Sequence, residues 1–164
     1  MSHTLRHPCR PPPRLFALII GINDYESPNV PKLKGAVPDA DDALSYLLKH
    51  LGVPSSQIKN LRNSEATRAA IIDGIIAFSL NNEIKAGDPI LIYYAGHGGS
   101  ADTPNGWEAG SSGKIELLIP YDHSSSLEDS NPKHGIPDRT LGFLLSHLAN
   151  EKGDNIVRQS LFPV

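Results

Sequence analysis

The stretch ILIYYAGHGG, residues 90–99, decides the fold that this sequence predicts. Its first six residues are apolar or aromatic without alternation, which is typical of a strand buried on both faces in a parallel sheet. Glycines then flank His97, so we expect this histidine to project from the carboxyl edge of the sheet. Such glycines let a substrate backbone approach and leave peptide N–H groups to face an oxyanion. The same residues also fit an alternative interpretation, in which they form a turn at the end of the strand and the histidine only faces solvent.

The segments on either side of this stretch predict alternating strands and helices. The strands are apolar runs bounded by polar or glycine residues, and the helices have apolar residues at spacings of three and four. Asp138 is expected to cap the third helix. The predicted elements are strands over residues 15–22, 57–61 (at a sheet edge), 90–95 and 115–119, helices over 39–51, 67–80 and from 138 to Gly153, a loop over 96–113, and the beginning of a strand in 155–164.

This order of elements predicts an α/β fold with a mostly parallel sheet and helices on both faces. Ligand sites in such sheets lie at the carboxyl ends of the strands, near the point where the strand order reverses. The segments just after Ile22 and just after Ala95 are therefore the places to look for chemistry.

Composition excludes several classes of protein. The 164 residues carry a net charge of −3, which gives no basic surface for nucleic acid. A single cysteine, Cys9, forms neither an internal disulfide nor a thiolate metal cage. The apolar run at residues 15–20 is too short to span a membrane and has no small-residue cleavage site, so we expect a cytoplasmic protein without membrane attachment. No metal site is expected.

Two other motifs are similar to parts of this sequence, but neither is complete. His97-Gly98-Gly99 is similar to the oxyanion loop of serine esterases, but the G-x-S-x-G segment that those enzymes need is absent. The run GSSGK at residues 110–114 is similar to a phosphate loop. It has Glu108 where a glycine belongs and Ile115 after the lysine, so a nucleotide-binding domain is not supported.

Five blocks of sequence, in order, resemble the caspase-like cysteine peptidases and, within them, the metacaspase branch. Together they extend from about residue 15 to residue 156, which makes the resemblance more specific than a single motif. The blocks are FALIIGINDY at 16–25, LKGAVPDADD at 33–42, ILIYYAGHG at 90–98, KIELLIPYD at 114–122 and IPDRTLGFLLSHLANEKGDNI at 136–156.

The resemblance implies a fold and an activity. The fold is a three-layer α/β/α sandwich around a six-stranded, mostly parallel sheet, and the activity is hydrolysis of peptide bonds in peptide or protein substrates by a Cys/His dyad. His97 matches the catalytic histidine, and Gly98 matches the residue whose N–H helps to form the oxyanion hole. The family allows calcium activation, which these residues do not support, so no cofactor is expected.

Asp39 has two interpretations. The resemblance implies that it helps to form a substrate-binding pocket for a basic side chain, which favours cleavage after Arg or Lys. As the residue after Pro38, it also fits the N-cap of the first helix. Both roles stay open, and one residue could serve both.

The resemblance ends after Ile156. There the family continues into an Asp-Cys-Cys-His-Ser-Gly-like segment with the nucleophile, which residues 157–164 do not match. Cys9 lies in a Pro-rich tail and is interpreted as incidental. We therefore expect a tail over residues 1–14 and, over 15–164, the amino-terminal portion of a peptidase domain, incomplete at its C-terminal end and inactive alone. The alternative is a non-catalytic module that pairs with an intact caspase-like relative.

Overall fold

In the computed structural model, which describes residues 13–104, 106–107, 113–124 and 134–161, two apolar strands form the centre. They are β1, Phe16–Gly21, and β3, Ile90–Ala95, and they pair in parallel over their whole length. All six residues of β1 are buried. Both strands were predicted from their uninterrupted apolar runs, because a strand covered on both faces has no place for alternating polar residues.

Two more strands complete a parallel sheet in the order β2-β1-β3-β7. Strand β2, Ile58–Arg62, lies at one edge, as its polar composition predicted, and β7, Ile156–Leu161, pairs with β3 on the other side. The chain leaves β1 towards β2 and returns to the far side of β1 as β3. The strand order therefore reverses between β1 and β3, and their carboxyl ends are where a ligand site is expected.

Helices cover both faces of this sheet. Helix α1, Ala36–Ser45, continues as one turn of π-helix, Tyr46–His50, and packs with Ala17 and Ile19 on one face. Helices α2, Arg68–Leu80, and α3, Asp138–Lys152, pack on the other face around Leu18, Ile20 and Ile92. This arrangement confirms the predicted α/β fold with three layers.

Close approach of α1 to β1 depends on small residues. A Cβ atom at Gly21 would lie 2.7 Å from the Cβ of Ala40 and 2.9 Å from the carbonyl oxygen of Ala36. The absence of a side chain at Gly21 therefore lets the first turns of α1 rest on the carboxyl end of β1. Because Asp39 lies in that first turn, it comes to the same edge of the sheet as the end of β3.

Both predicted helix caps are wrong. Helix α1 begins at Ala36, three residues earlier than predicted, so Gly35 occupies the N-cap position. The Asp39 amide already donates to the Gly35 carbonyl oxygen at 2.9 Å, which excludes the capping role for Asp39. In α3 the N-cap position belongs to Pro137. Asp138 is the first helical residue, and its carboxylate accepts from the Arg139 amide at 2.6 Å.

A second, smaller sheet replaces part of the loop that was predicted over residues 96–113. Strand β4, Gly98–Asp102, pairs antiparallel with β5, Lys114–Leu118, and β5 pairs with β6, Ile136–Pro137. Glycine and serine have low strand propensity, and the pairing with β5 overrides that preference. Within the part of the chain that is described, no helix is long and apolar enough to cross a membrane.

Only the last two residues of the predicted amino-terminal tail are among those that the structure describes. Residues 1–12, with Cys9, and residues 162–164 lie outside the described residues. Arg14, at the end of the predicted tail, forms an ion pair with Asp88 at 2.6 Å. The neighbouring guanidinium holds the pKa of the Asp88 carboxyl below its ordinary value. This contact anchors the chain just before it enters β1.

Candidate active site

His97 follows β3 at the carboxyl edge of the parallel sheet, where the strand order reverses. The loop after β1 meets it from the neighbouring strand. The backbone N–H of His97 donates to the hydroxyl of Tyr25 at 2.8 Å, and the two rings lie 5.2 Å apart between centroids. The two segments predicted to carry chemistry, after Ile22 and after Ala95, are thus in direct contact.

The imidazole of His97 is oriented by a backbone carbonyl. Its Nε2 atom lies 2.8 Å from the carbonyl oxygen of Pro31, in the same loop after β1. A carbonyl oxygen only accepts hydrogen bonds, so this contact assigns the ring proton to Nε2 and leaves Nδ1 as the basic nitrogen. His97 is half-buried, so solvent or a substrate can still reach its side chain. Such a histidine has the fixed orientation that a general base needs.

Two buried tyrosines hold the backbone around His97. The hydroxyl of Tyr94 lies 2.8 Å from the carbonyl oxygens of both His97 and Ile119, and a side-chain hydrogen bond links Tyr94 to Tyr25. Burial raises the pKa of Tyr25 and raises that of Tyr94 well above its ordinary value. Both hydroxyls therefore stay protonated at neutral pH and can serve as neutral hydrogen-bonding groups.

Gly96 makes this arrangement sterically feasible. A Cβ atom at this position would overlap the hydroxyl of Tyr94 and would lie 2.7 Å from Cζ of the same ring. The hydroxyl of Tyr25 would be 3.1 Å away. The glycine is therefore needed for close approach of the chain to the tyrosine pair.

The N–H of Gly98 points away from strand β5. The Ile119 amide donates to the His97 carbonyl oxygen at 3.1 Å, which makes His97 and Ile119 a hydrogen-bonded position of the antiparallel ladder. Such positions alternate with positions that exchange no ladder hydrogen bonds. Gly98, which is opposite Leu118, is therefore of the second kind. Its N–H group therefore faces the open side of β4, and Gly98 lines the same groove as His97.

A groove of about 440 Å³ runs from His97 towards α3 and β7. The residues that line it include Gly98, Glu116, Asp138, and Arg158 and Ser160 of β7. The groove connects the histidine with the carboxyl half of β7, and so with the strand that follows the third helix.

Asp39 is not among the residues that line this groove. It is exposed on α1, at the same edge of the sheet but beside the opposite face. There it is close enough to Tyr93 to affect it: burial raises the pKa of Tyr93, and the carboxylates of Asp39 and Asp42 raise it further. His97 and Gly98 thus line one groove, and Asp39 lies outside it, near the same edge of the sheet.

Metal ligands are absent from the site as far as it is described. Among residues 13–104, 106–107, 113–124 and 134–161, no group of three or more His, Cys, Asp or Glu side chains is placed to hold a metal ion.

The partners of His97 were not predicted from the sequence. Pro31 acts through its carbonyl group, which every residue has, and Tyr25 was part of a family block without an assigned role.

Comparisons of the sequence with known proteins point to one family. The family model described as "Caspase domain" matches residues 14–142. The chain is 29% identical to Metacaspase-1 of Scheffersomyces stipitis over 113 residues, which are 66% of this chain and 27% of that protein. It is also 29% identical to Metacaspase-1A of Aspergillus oryzae over 112 residues, 65% of this chain and 25% of that protein. The matches thus span about a quarter of the length of these curated relatives.

A solved structure shares the fold. The crystal structure of protein GSU0716 from Geobacter sulfurreducens superimposes with a TM-score of 0.64 at 22% sequence identity, covering 90% of this chain and 49% of that chain. The family match contains β1, the loop with Tyr25 and Pro31, and His97 after β3. With the fold and these residues in agreement, the chain belongs to the caspase domain family.

Proposed function

We propose that this chain supplies the histidine half of a cysteine endopeptidase site, with His97 as its general base and acid. The contact between Nε2 of His97 and the Pro31 carbonyl oxygen carries this proposal, because it leaves Nδ1 as the basic nitrogen of an oriented ring. Caspase family membership supports a cysteine peptidase-like function.

The proposed reaction follows from these positions. Nδ1 of His97 takes the proton of a cysteine thiol, and the thiolate attacks the scissile carbonyl carbon. The carbonyl oxygen becomes an oxyanion, which accepts a hydrogen bond from the Gly98 N–H. Collapse of this intermediate breaks the C–N bond, and the imidazolium returns the proton to the leaving amine. Water then hydrolyses the acyl-enzyme, with His97 again as the base.

The nucleophile is not Cys9 in this proposal. Cys9 precedes the run Pro11-Pro12-Pro13, several residues ahead of β1, and the resemblance to metacaspases implies a cysteine directly after the strand that follows the third helix. That strand is β7, whose residues Arg158 and Ser160 line the same groove as His97. The 164 residues by themselves therefore have no thiol peptidase activity.

A grafted domain tests this function. It joins residues 14–161 of this chain to the part of the Scheffersomyces stipitis metacaspase that begins directly after the strand equivalent to β7, where the resemblance implies the cysteine segment. We expect the grafted domain to release a fluorophore from an Arg-containing peptide and to lose this activity with iodoacetamide. The 164-residue chain is the control and should not cleave. Iodoacetamide-sensitive cleavage by the chain alone, lost in Cys9→Ser, would assign the nucleophile to Cys9 and contradict the proposal.

Substrate preference in this proposal depends on Asp39, whose carboxylate favours a basic side chain at the cleaved position. In the grafted domain, Asp39→Asn is expected to lower kcat/KM for an Arg peptide about 10- to 100-fold, the effect of losing one charge-assisted hydrogen bond. The matched control is Asp154→Asn, an exposed aspartate near the amino end of β7, which should change kcat/KM less than twofold. If the two substitutions changed kcat/KM equally, the proposal that Asp39 binds the basic side chain of the substrate would be contradicted.

A second candidate function is a non-catalytic module that pairs with an intact caspase-like relative. It is favoured by β7, which has a neighbouring strand on one side only within the described sheet, and by Val157 of that strand, which is 57% exposed. Strand edges of this kind bind further strands. Co-purification of the tagged chain with an intact metacaspase, lost in Val157→Pro, would support this function. Elution of the two proteins as separate species would contradict it.

A further inference from the structure

Asn63 has an unusual backbone conformation directly after strand β2. Its φ angle is 42°, and it is the one residue other than glycine in the described part of the chain with a positive φ. Asparagine tolerates this left-handed region better than most residues because its short polar side chain bonds locally. A strained residue that persists in a fold invites the question of what its side chain does.

The side chain of Asn63 holds the beginning of the loop after β1. Its Oδ1 atom accepts from the amide of Asn23 at 2.9 Å and from the amide of Asp24 at 3.2 Å. These two contacts join residues 39 or 40 positions apart in the chain. Asn63 therefore ties the end of β2 to the segment that directly precedes Tyr25.

The same loop is closed on itself at Asn23. The Asn23 carbonyl oxygen accepts from the Leu33 amide at 2.8 Å, and its side-chain Oδ1 accepts from the Val37 amide at 3.1 Å. Residues 23–33 thus form a loop whose two ends meet at Asn23. Tyr25 and Pro31, the two partners of His97, both lie within it.

We propose that Asn63 is a positioning residue for His97: by binding the amides of Asn23 and Asp24, it fixes the loop that presents the Pro31 carbonyl to Nε2. This inference rests on the proposed function for the importance of His97, but its effect on the ring is independent of catalysis. Asn63 contacts no reacting atom in this proposal. It acts through the loop on the tautomer and orientation of the imidazole.

Two substitutions separate the side chain of Asn63 from its backbone. Asn63→Gly keeps the left-handed conformation without strain and removes the acceptor, and Asn63→Asp keeps an acceptor oxygen at the same place. The matched control is Asn81→Gly. Asn81 follows α2, its Oδ1 accepts from the Glu83 amide at 2.8 Å, and it lies away from the loop after β1.

The readout is the tautomer of His97 in the full 164-residue chain, measured by long-range ¹⁵N NMR of the imidazole. We expect Nε2–H in the unsubstituted chain. In Asn63→Gly the ratio of Nε2–H to Nδ1–H should fall about five- to tenfold, the effect of weakening one hydrogen bond. Asn63→Asp should restore the ratio, and Asn81→Gly should leave it unchanged. A folded Asn63→Gly chain with an unchanged ratio would overturn the proposal.

A second measurement needs no substitution. The amides of Asn23, Asp24 and His97 are compared by their protection factors, which are the intrinsic exchange rates divided by the measured ones. If the contacts of Asn63 and His97 open together, these protection factors against deuterium exchange should agree within about threefold. Independent exchange would overturn the proposal even if Asn63→Gly does not fold. Because neither readout requires cleavage, failure of this proposal is distinguishable from failure of the grafted domain to cleave peptides.

Discussion

His97→Ala in the grafted domain is expected to lower kcat for the Arg peptide by about 10²- to 10⁴-fold, the usual contribution of a positioned general acid–base. KM should change little, since the imidazole acts on the thiol and on the leaving amine and not on the bound side chain. The reason is local: Nδ1 is the nitrogen left free to take a proton once Nε2–H is bound to the Pro31 carbonyl oxygen.

The control for this substitution is His147→Ala. His147 is exposed on α3, where an imidazole has no role in the proposed reaction, and its removal should leave kcat within about twofold. Circular dichroism and the thermal midpoint show whether each variant is folded. If folded His97→Ala retains the kcat of the unsubstituted domain, His97 is not the catalytic base.

Gly96→Ala is expected to lower the free energy of unfolding by about 1–3 kcal/mol, the cost of forcing an extra methyl group into packed structure. The added Cβ would overlap the hydroxyl of Tyr94. Because Tyr94 is only 2% exposed, its ring is packed on all sides and cannot move aside without disturbing its neighbours. Tyr94 would have to leave the carbonyl oxygens of His97 and Ile119, so the site should be disturbed together with the fold.

The matched control is Gly142→Ala in the middle of α3, where a Cβ atom would meet nothing within 4 Å. Alanine is the better helix former, so this change should raise the free energy of unfolding by about 0.5–1 kcal/mol. Urea denaturation of both variants measures the difference. Equal stability of the two variants would show that Gly96 does not pack as described.

The sequence predicts the centre of this fold well, and the reason is burial. Strands β1 and β3 are covered on both faces, which demands the uninterrupted apolar runs that were recognised. Strand β4 was missed because Gly98-Gly99-Ser100-Ala101-Asp102 contains no β-branched or aromatic residue. It is a strand because β5 offers hydrogen-bonding partners, and that pairing is tertiary information.

The beginning of α1 was misjudged for a different reason. Pro38 was taken to precede the helix, but a proline is tolerated in the first turn, where its missing N–H has no intrahelical partner to lose. This shift changes the interpretation of Asp39. Without a capping role, Asp39 contributes the negative charge of its carboxylate, which raises the pKa of Tyr93 in the neighbouring strand β3.

The candidate site was predicted at the level of its motif and not of its contacts. His97 follows an apolar strand, and that pattern is visible in the letters. Its contact with Pro31 joins residues 66 positions apart and uses a backbone atom, so no side-chain pattern signals it. For Asn63, the signal is weak: an asparagine after a strand is common, and only its φ angle and two amide contacts reveal the role.

The central claim is that His97 can activate a cysteine placed directly after β7, and alkylation of the cysteine that the grafted domain carries there tests it most directly. The grafted domain begins at residue 14 and therefore lacks Cys9. Its rate of reaction with iodoacetamide is measured against pH, with His97 present and with His97→Ala. A neighbouring imidazolium lowers the pKa of a thiol from its free value of about 8.5 into the range of about 3.5–7.5. We predict such a lowered pKa with His97 and a return towards the free value in His97→Ala; identical profiles for the two would contradict the account.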